Sequence, residues 1–252
     1  MIKLTVVLPI LLLGVQVNAQ KLLFEEQFDG SALNTSNWNY ELGNGCPEIC
    51  GWGNNERQYY SEKYVAVNDG YLVITAIKDS LYESGKITTK GKFEFQYGTV
   101  EVRAKLATGK GIWPAIWMLG SNITEVGWPR CGEIDIMEYV GKSPHEIHTT
   151  LHTPDSHGNT VNTKVTVVED IEQGFHVYKC HWTKDAISFY IDGNLVYTFS
   201  PDIKNESTWP FDQPFYIILN MAVGGNFGGP DVDDSIFPQQ FVVDYVKVYG
   251  LD

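Results

Sequence analysis

One nine-residue stretch dominates the sequence: Cys131-Gly132-Glu133-Ile134-Asp135-Ile136-Met137-Glu138-Tyr139. Its apolar and aromatic residues favour a half-buried strand. In a strand, alternate side chains share a face, so Glu133 and Asp135 point to the side opposite Ile134 and Ile136. Strict alternation would bury Glu138, and burying an ionised carboxylate is costly. We predict a β-bulge next to Ile136, because one extra residue returns Glu138 to the acidic face.

This strand brings three carboxyl groups to one face. Four strand steps separate the backbones of Glu133 and Glu138 by roughly 13 Å. Side chains that lean inward would bring the two carboxyl groups to about 5 Å, the separation of a retaining glycosidase, whereas an inverting enzyme needs ~6.5–9.5 Å. Asp135 between them would hold a shared proton and prevent all three acids from being charged together. The alternative interpretation is a strand with a solvated acidic face.

The run from Gly132 to Glu138 resembles the active-site signature of glycoside hydrolase family 16, in the bulged form of laminarinase-type endo-1,3-β-glucanases. The resemblance implies that Glu133 is the nucleophile, Glu138 the general acid/base and Asp135 an assisting acid. It covers nearly all of the mature chain through three further runs: Gly51-Trp52-Gly53-Asn54-Asn55-Glu56, Gly111-Ile112-Trp113-Pro114-Ala115-Ile116-Trp117-Met118 and Phe241-Val242-Val243-Asp244-Tyr245-Val246.

Many short segments have the alternation or the β-branched content of strands, and we find no convincing amphipathic helix longer than two turns. The sequence around Asp192-Gly193-Asn194 predicts a turn between two of them. These features predict an all-β, two-sheet antiparallel β-sandwich. The resemblance implies a concanavalin-like jelly roll whose concave sheet carries the substrate cleft. The predicted strands span residues 71–77, 93–97, 99–106, 147–153, 175–182, 187–191, 195–199, 215–223 and 241–249.

Residues 1–19 have the pattern of a secretory signal peptide. Lys3 precedes an apolar run, and Val17-Asn18-Ala19 is a small-residue cleavage site. The apolar run is shorter than the ~20 residues that a membrane-spanning helix needs. Residues 20–252 contain no linker rich in Pro, Ser or Gly and no internal repeat. We therefore expect a single family 16 catalytic domain, secreted to the extracellular space or the periplasm.

The formal net charge of −13 argues against nucleic acid or an anionic membrane as a partner, because both require basic patches. It suits a neutral polysaccharide such as β-glucan. Aromatic residues make up 13% of the chain, and their rings form flat surfaces for the apolar faces of sugars as well as core packing. We expect a monomer.

Four cysteines, Cys46, Cys50, Cys131 and Cys180, allow three disulfide pairings in an exported protein. Cys46 and Cys50 flank a short loop that contains a proline, so they are candidates for a local disulfide. Cys131 and Cys180 would then remain for each other. The pairing stays open from the sequence alone, and no cysteine has the ligand spacing of a zinc site.

Five residues outside the acidic strand are candidates for substrate binding. Trp113 and Trp117 are four residues apart and share a strand face. A core aromatic stripe explains them equally well from spacing, but the resemblance implies that they are sugar platforms. Trp128 is a similar candidate in the loop before the acidic strand. The Asn55 amide offers hydrogen bonds to sugar hydroxyls, unless it serves a turn, and His152 is a candidate donor near the acids.

The resemblance also implies a structural calcium ion bound by oxygen atoms near the two chain ends. The matching positions are Glu26, the Gly70 carbonyl and Asp244, and calcium favours such oxygen ligands. We expect Arg103 to have a structural role, and we expect no cofactor for catalysis.

The signal-peptide pattern and the spacing of the carboxylates predict a secreted, retaining glycoside hydrolase that works by double displacement, and the resemblance implies endo-acting cleavage of β-1,3-glucan. Two alternatives remain. One is the same fold acting on mixed-linkage glucan or on a galactan such as agarose. The other is a β-glucan recognition protein that has lost the chemistry.

Overall fold

The structure is a computed structural model that describes residues 20–251, so the predicted signal peptide lies outside the described residues. It is built almost entirely of strands: β1 Leu22–Glu26, β2 Asn39–Tyr40, β3 Gln58–Tyr60, β4 Val65–Asn68, β5 Tyr71–Lys78, β6 Tyr82–Ser84, β7 Lys86–Thr88, β8 Gly98–Lys105, β9 Ile112–Gly120, β10 Glu133–Tyr139, β11 Glu146–His152, β12 Thr163–Val167, β13 His176–Trp182, β14 Ile187–Ile191, β15 Asn194–Phe199, β16 Phe215–Val223 and β17 Gln239–Tyr249.

Helices are few and short. Between residues 20 and 251 the α-helices are α1, Ile123–Val126, and α2, Gly225–Gly228. Single 3₁₀ turns span Cys50–Gly53, Glu62–Tyr64 and Asp234–Ile236. In this described part of the chain, no helix has the length and apolar character needed to cross a membrane.

The strands form two sheets. The cleft sheet has seven strands in the order β12-β11-β10-β9-β16-β7-β2. The outer sheet has ten strands, with β15-β14-β13-β8-β17-β5-β6-β3 in sequence, β1 paired with β17 and β4 paired with β5. Every pairing is antiparallel except that of β3 with β6. This architecture confirms the predicted all-β sandwich.

The two sheets share one main hydrophobic core. The cleft sheet contributes Ile116, Ile134 and Leu219, and the outer sheet contributes Val102 and Val246, all fully buried in the same cluster. Each such aliphatic side chain stabilises the fold by about 1.5–3 kcal/mol relative to an exposed one. The opposite face of the cleft sheet is therefore left to line the site.

Strand β16 is buried along its whole length of nine residues. Ile217 and Leu219 face the main core, whereas Tyr216, Ile218 and Asn220 line a cavity on the other face. Both faces of the strand are covered, which explains why its sequence is a nearly continuous apolar run and not an alternating one.

Most predicted strands lie within two residues of the observed ones, but the strand at 93–97 is wrong. The Phe93 N–H donates to the Thr89 carbonyl in a turn, and Phe95 makes only an isolated bridge to Phe215. The aromatic run reflects ring packing, with Phe93 and Phe95 stacked 5.7 Å apart. The predicted turn is confirmed, because β14 ends at Ile191 and β15 begins at Asn194.

The cysteines divide into one disulfide and two free thiols. Cys46 and Cys50 are bonded to each other. Cys131 and Cys180 are both free and buried, so the expectation that they pair is wrong. The physical reason is their location: Cys131 precedes β10 and packs in a small cluster with Leu119, whereas Cys180 lies on β13 of the outer sheet in the main core.

Candidate active site

The site is built around a β-bulge in β10, as predicted. Against β11, Asp135 pairs with Thr150 and Glu138 with His148, so two residues of β10 lie opposite a single residue of β11. The pairing with β9 shifts at the same point. Ile136 and Met137 both enter the core, and Glu138 returns to the face of the other two acids.

Glu133, Asp135 and Glu138 line a cavity of about 270 Å³ on the outward face of the cleft sheet. The cavity continues over β9, β16 and β7 to the residue after β2. Its other lining residues are Glu41, Ile49, Trp52, Asn54, Glu56, Tyr60, Lys86, Lys90, Trp113, Ala115, Trp117, Leu119, Ile123, Tyr216, Ile218 and Asn220.

Glu133 has two polar neighbours. The Trp128 indole Nε1 donates to Glu133 Oε2 at 2.9 Å, and His152 Nε2 lies 3.6 Å from Glu133 Oε1. Both contacts favour the ionised carboxylate. They counteract the burial and the Asp135 charge, which together raise the pKa of Glu133 to about 8.

Asp135 is the most deeply buried of the three acids. His152 Nε2 lies 3.3 Å from its Oδ2, but that oxygen has no hydrogen bond of normal geometry. Burial raises the pKa of Asp135 to about 8, against the opposing effect of a hydrogen bond with Glu133. Asp135 is therefore placed to exchange a proton with its neighbour.

Glu138 differs from Glu133 in its surroundings. Trp113 Nε1 donates to Glu138 Oε1 at 3.1 Å. Burial, followed by the negative charges of Asp135 and Glu133, raises the pKa of Glu138 well above its ordinary value. An indole donor favours the anion of each acid, but two neighbouring carboxylates raise the pKa of Glu138 and only one raises that of Glu133, so Glu138 keeps its proton to higher pH. This division is the one that general acid and nucleophile require.

His152 is held in one tautomer. The Gly158 N–H donates to His152 Nδ1 at 3.2 Å. A neutral imidazole that accepts at Nδ1 carries its proton on Nε2, and Nε2 faces Glu133 and Asp135. Within residues 20–251, one group of His, Cys, Asp or Glu side chains could hold a metal ion. It consists of Glu133, Asp135 and His152, whose ligand atoms all lie within 4.8 Å of one another. The tautomer favours proton donation over metal ligation.

The family follows from comparison with known proteins. A model described as "Glycosyl hydrolases family 16" matches residues 53–247. The chain belongs to this family. It is a glycoside hydrolase, as the resemblance implied.

Individual relatives agree with the family 16 assignment. A beta-glucanase of Rhodothermus marinus is 40% identical over 91% of this chain and 85% of its own length. A glucan endo-1,3-beta-glucosidase A1 of Niallia circulans is 39% identical over 92% of this chain, which spans only 38% of that relative. The crystal structure of laminarinase from Flavobacterium sp. UMI-01 is 63% identical, with a TM-score of 0.89 over 91% of this chain and 100% of that one.

Two of the five predicted substrate-binding residues line the family 16 cleft, and two others, Trp128 and His152, lie against Glu133. Trp113 and Trp117 line it, and Trp117 Nε1 donates to Asn220 Oδ1 at 2.7 Å. Trp128 is 45% exposed beside Glu133. Asn55 lies outside the cavity: its backbone is left-handed, with φ 57°, and its amide donates to Asn226 Oδ1 at 2.8 Å. Its role in sugar binding stays a prediction.

Several family 16 cleft residues were missed from the sequence. Lys86 is only 7% exposed, pairs with Glu41 at 2.7 Å and lies 4.1 Å from the Trp52 ring centroid. Glu56 accepts from Gln58 at 2.6 Å, and burial raises its pKa. Only Asn220 had a readable signal, since it is a polar residue within the apolar run of β16.

The possible calcium ligands lie where two strands meet the edge of β17. Strand β5 pairs with β17 up to Val243, β1 pairs from Val246, and Asp244 lies at the irregularity between them. Glu26 is on β1, and Gly70 precedes β5.

The oxygen donor set at this point fits calcium chemically. One Asp244 oxygen is already paired with Arg103, which also stacks on Phe175 at 4.6 Å. Arg103 therefore has the structural role that was expected, in the outer sheet. The Glu26 carboxylate accepts from the Phe28 N–H at 3.1 Å and from Asn37 at 3.3 Å.

Proposed function

We propose that the protein is a secreted endo-1,3-β-glucanase that hydrolyses laminarin-like β-glucan with retention of anomeric configuration. The observation that carries this proposal is the bulged strand β10, which turns Glu133 and Glu138 into one cavity with different partners. The 63% identity to a laminarinase supports the choice of β-1,3-glucan.

In the first step, Glu133 attacks the anomeric carbon and forms a glycosyl-enzyme ester. Glu138 gives its proton to the departing glycosidic oxygen. In the second step, Glu138 takes a proton from water, the water oxygen attacks the anomeric carbon and Glu133 leaves as a carboxylate. The Nε2 proton of His152 and the protonated form of Asp135 stabilise the carboxylate charge on Glu133 before it attacks and again as it leaves.

The cleft suits a neutral glucan chain. Trp117 lines the cavity as a half-buried ring, whereas Trp113, Asn220 and Lys86 line it with only 7–8% of their surface exposed. A dense anionic substrate is disfavoured by the net charge of −13. We expect a monomer, which size-exclusion chromatography will test. Secretion rests on the pattern in residues 1–19, and amino-terminal sequencing of the protein from culture supernatant tests cleavage after Ala19.

The decisive test of the chemistry is Glu138→Gln. We expect laminarin hydrolysis to fall by about 10³-fold or more, and azide to restore part of the turnover, because the small anion needs no general base. Glu146→Gln on the neighbouring strand β11 is the matched control and should keep its activity, since Glu146 does not line the cavity. A Glu138→Gln variant with wild-type turnover would refute the assignment.

Substrate choice needs a separate measurement. Laminarin, lichenan and agarose are digested in parallel with the wild-type protein, and the products are separated by chromatography. We expect oligosaccharides of several lengths from laminarin, with the β-anomer formed first in proton NMR. Products from agarose alone would favour the galactan alternative, and an absence of reducing ends from all three would favour a recognition protein.

A further inference from the structure

The wall loop, defined as residues 43–55, forms one side of the cleft without a core anchor of its own. None of its residues is buried. Its ends are fixed, because Gly43 and Tyr60 exchange two backbone hydrogen bonds of 2.8 Å and the Asn54 carbonyl accepts from the Asn226 N–H at 2.7 Å. The middle of the loop is held by its own backbone hydrogen bonds, by the Cys46–Cys50 disulfide and by the packing of Trp52 against Tyr60 and Lys86.

Three residues of the wall loop, Ile49, Trp52 and Asn54, line the cavity. Of these, Ile49 is 51% exposed. The Trp52 ring lies 5.4 Å from the Tyr60 ring and 4.1 Å from Lys86 Nζ. Trp52 Nε1 is buried without a hydrogen-bond partner, so this donor is left for a ligand or water.

The backbone beneath these side chains is strained. Trp52 has φ 52° and follows Gly51 with φ 62°, so a bulky residue occupies the left-handed region. Such a conformation persists only when its surroundings fix it. The disulfide lies next to this point, and Ile49 lies between the two cysteines. The Ile49 N–H donates to the Gly45 carbonyl at 2.8 Å, and its own carbonyl accepts from Gly53 at 3.2 Å.

We propose that the Cys46–Cys50 disulfide is a positioning element for glycan binding: it holds Ile49 and Trp52 in the conformation that receives the polysaccharide. When a loop is already ordered before binding, the free energy of binding includes no entropic cost for ordering it. Lys86, beside Trp52, lies three strands from β10, about 14 Å across the sheet at ~4.8 Å per strand. The disulfide thus acts on substrate binding, away from the acids.

The inference extends to redox chemistry. Cys46 and Cys50 are both exposed, whereas Cys131 and Cys180 are buried and free. A thiol reductant therefore has direct access to the wall-loop disulfide. Two electrons and two protons from the reductant convert the disulfide to two thiols, and the loop loses its covalent closure while the acids on β10 are unchanged.

The test compares binding with and without the disulfide. The parent is Glu133→Gln, which does not turn over substrate, and the variant adds Cys46→Ser and Cys50→Ser. Calorimetry with the β-1,3-linked hexasaccharide of glucose should give a Kd at least about fivefold weaker for the variant. In the active background, KM on laminarin should rise by a similar factor and kcat should change less than about twofold.

Two further measurements distinguish the effect of the missing disulfide from misfolding of the serine variant. Wild-type protein reduced with a phosphine should show the same rise in KM, and the reductant should leave the double serine variant unchanged. Ile49→Ala keeps the disulfide but shortens the wall, so it should weaken binding by a smaller factor. Equal Kd values within twofold for the parent and the variant would overturn the inference.

The inference rests on the proposed function, and the experiment separates the two. A parent protein that binds the hexasaccharide equally well with and without the disulfide overturns the inference alone. A disulfide-bonded parent that binds no β-1,3-glucan overturns the proposed substrate and the inference with it.

Discussion

The Trp128 indole Nε1 donates a hydrogen bond to Glu133 Oε2 across 2.9 Å, from a side chain that is 45% exposed to solvent. This contact lowers the pKa of Glu133, in opposition to burial. Trp128 thus favours the ionised form of Glu133, the residue proposed as the nucleophile.

Trp128→Phe should shift the acidic limb of the pH profile upward. Loss of the indole donor raises the pKa of Glu133, so a higher pH is needed to form its anion. We expect the acidic limb of kcat/KM on laminarin to move up by about 0.5–1 pH unit, since one unit corresponds to ~1.4 kcal/mol. An unchanged acidic limb would show that the hydrogen bond does not act on the nucleophile.

Trp113→Phe should move the opposite limb. Trp113 donates to Glu138, and this bond lowers the pKa of Glu138 against burial. Without the donor, Glu138 keeps its proton to higher pH, so the basic limb of kcat/KM should move up by about 0.5 unit. The two tryptophan variants are controls for each other, because each should move one limb and leave the other in place.

The acid cluster should make the folded protein less stable as pH rises. Burial raises the pKa of Glu133 and Asp135 to about 8, whereas the unfolded chain loses these protons near pH 4–4.5. Between these values the folded state binds more protons, so the free energy of unfolding falls as pH increases through that window.

Asp135→Asn removes one of the two carboxyl groups whose pKa is higher in the folded state than in the unfolded state. We expect its Tm at pH 8 to exceed that of the wild type by at least about 2 °C, with a smaller difference at pH 5. Asp155→Asn, at an exposed loop position, is the matched control and should leave the slope unchanged. A wild-type Tm that increases from pH 5 to pH 8 would contradict this account.

Calcium should stabilise the protein through Glu26, the Gly70 carbonyl and Asp244. A ligand present at 100 times its Kd stabilises the folded state by about 2.7 kcal/mol, which raises Tm by roughly 5–10 °C in a domain of this size. Magnesium at the same concentration is the ion control. Asp244→Asn should abolish the calcium effect, whereas Asp231→Asn, which affects only an exposed pair with Lys110, should retain it.

The geometry of strand β10 could be predicted from the sequence because two independent constraints coincide there. Alternation places Glu133 and Asp135 on one face, and the cost of burying a charge demands an extra residue before Glu138. The bulge needed no knowledge of the neighbouring strands. The prediction of Phe93–Tyr97 as a strand failed because ring burial and ladder pairing favour the same residue types.

The cleft beyond the acids was less predictable, because its residues meet only through long-range pairing. Lys86 on β7 reaches Glu41 and Trp52 from different parts of the chain, and no local pattern marks it. Asn55 shows that a residue type can also suggest a role that the backbone conformation does not favour. Its amide type suggested sugar binding, but its backbone is left-handed and its amide donates to Asn226 on α2.

Strand β10 is an interior strand of the cleft sheet, with β9 on one side and β11 on the other. Interior ladders of this kind open only when the whole domain does. The acids on β10 and the wall loop should consequently lose their native structure at different temperatures. On slow heating, substrate affinity should weaken first, because the wall loop loses its ordered conformation. Hydrolytic activity should be lost only when the whole domain unfolds. Amide exchange would show the same separation, with slow protons on β10 and fast ones in residues 43–55.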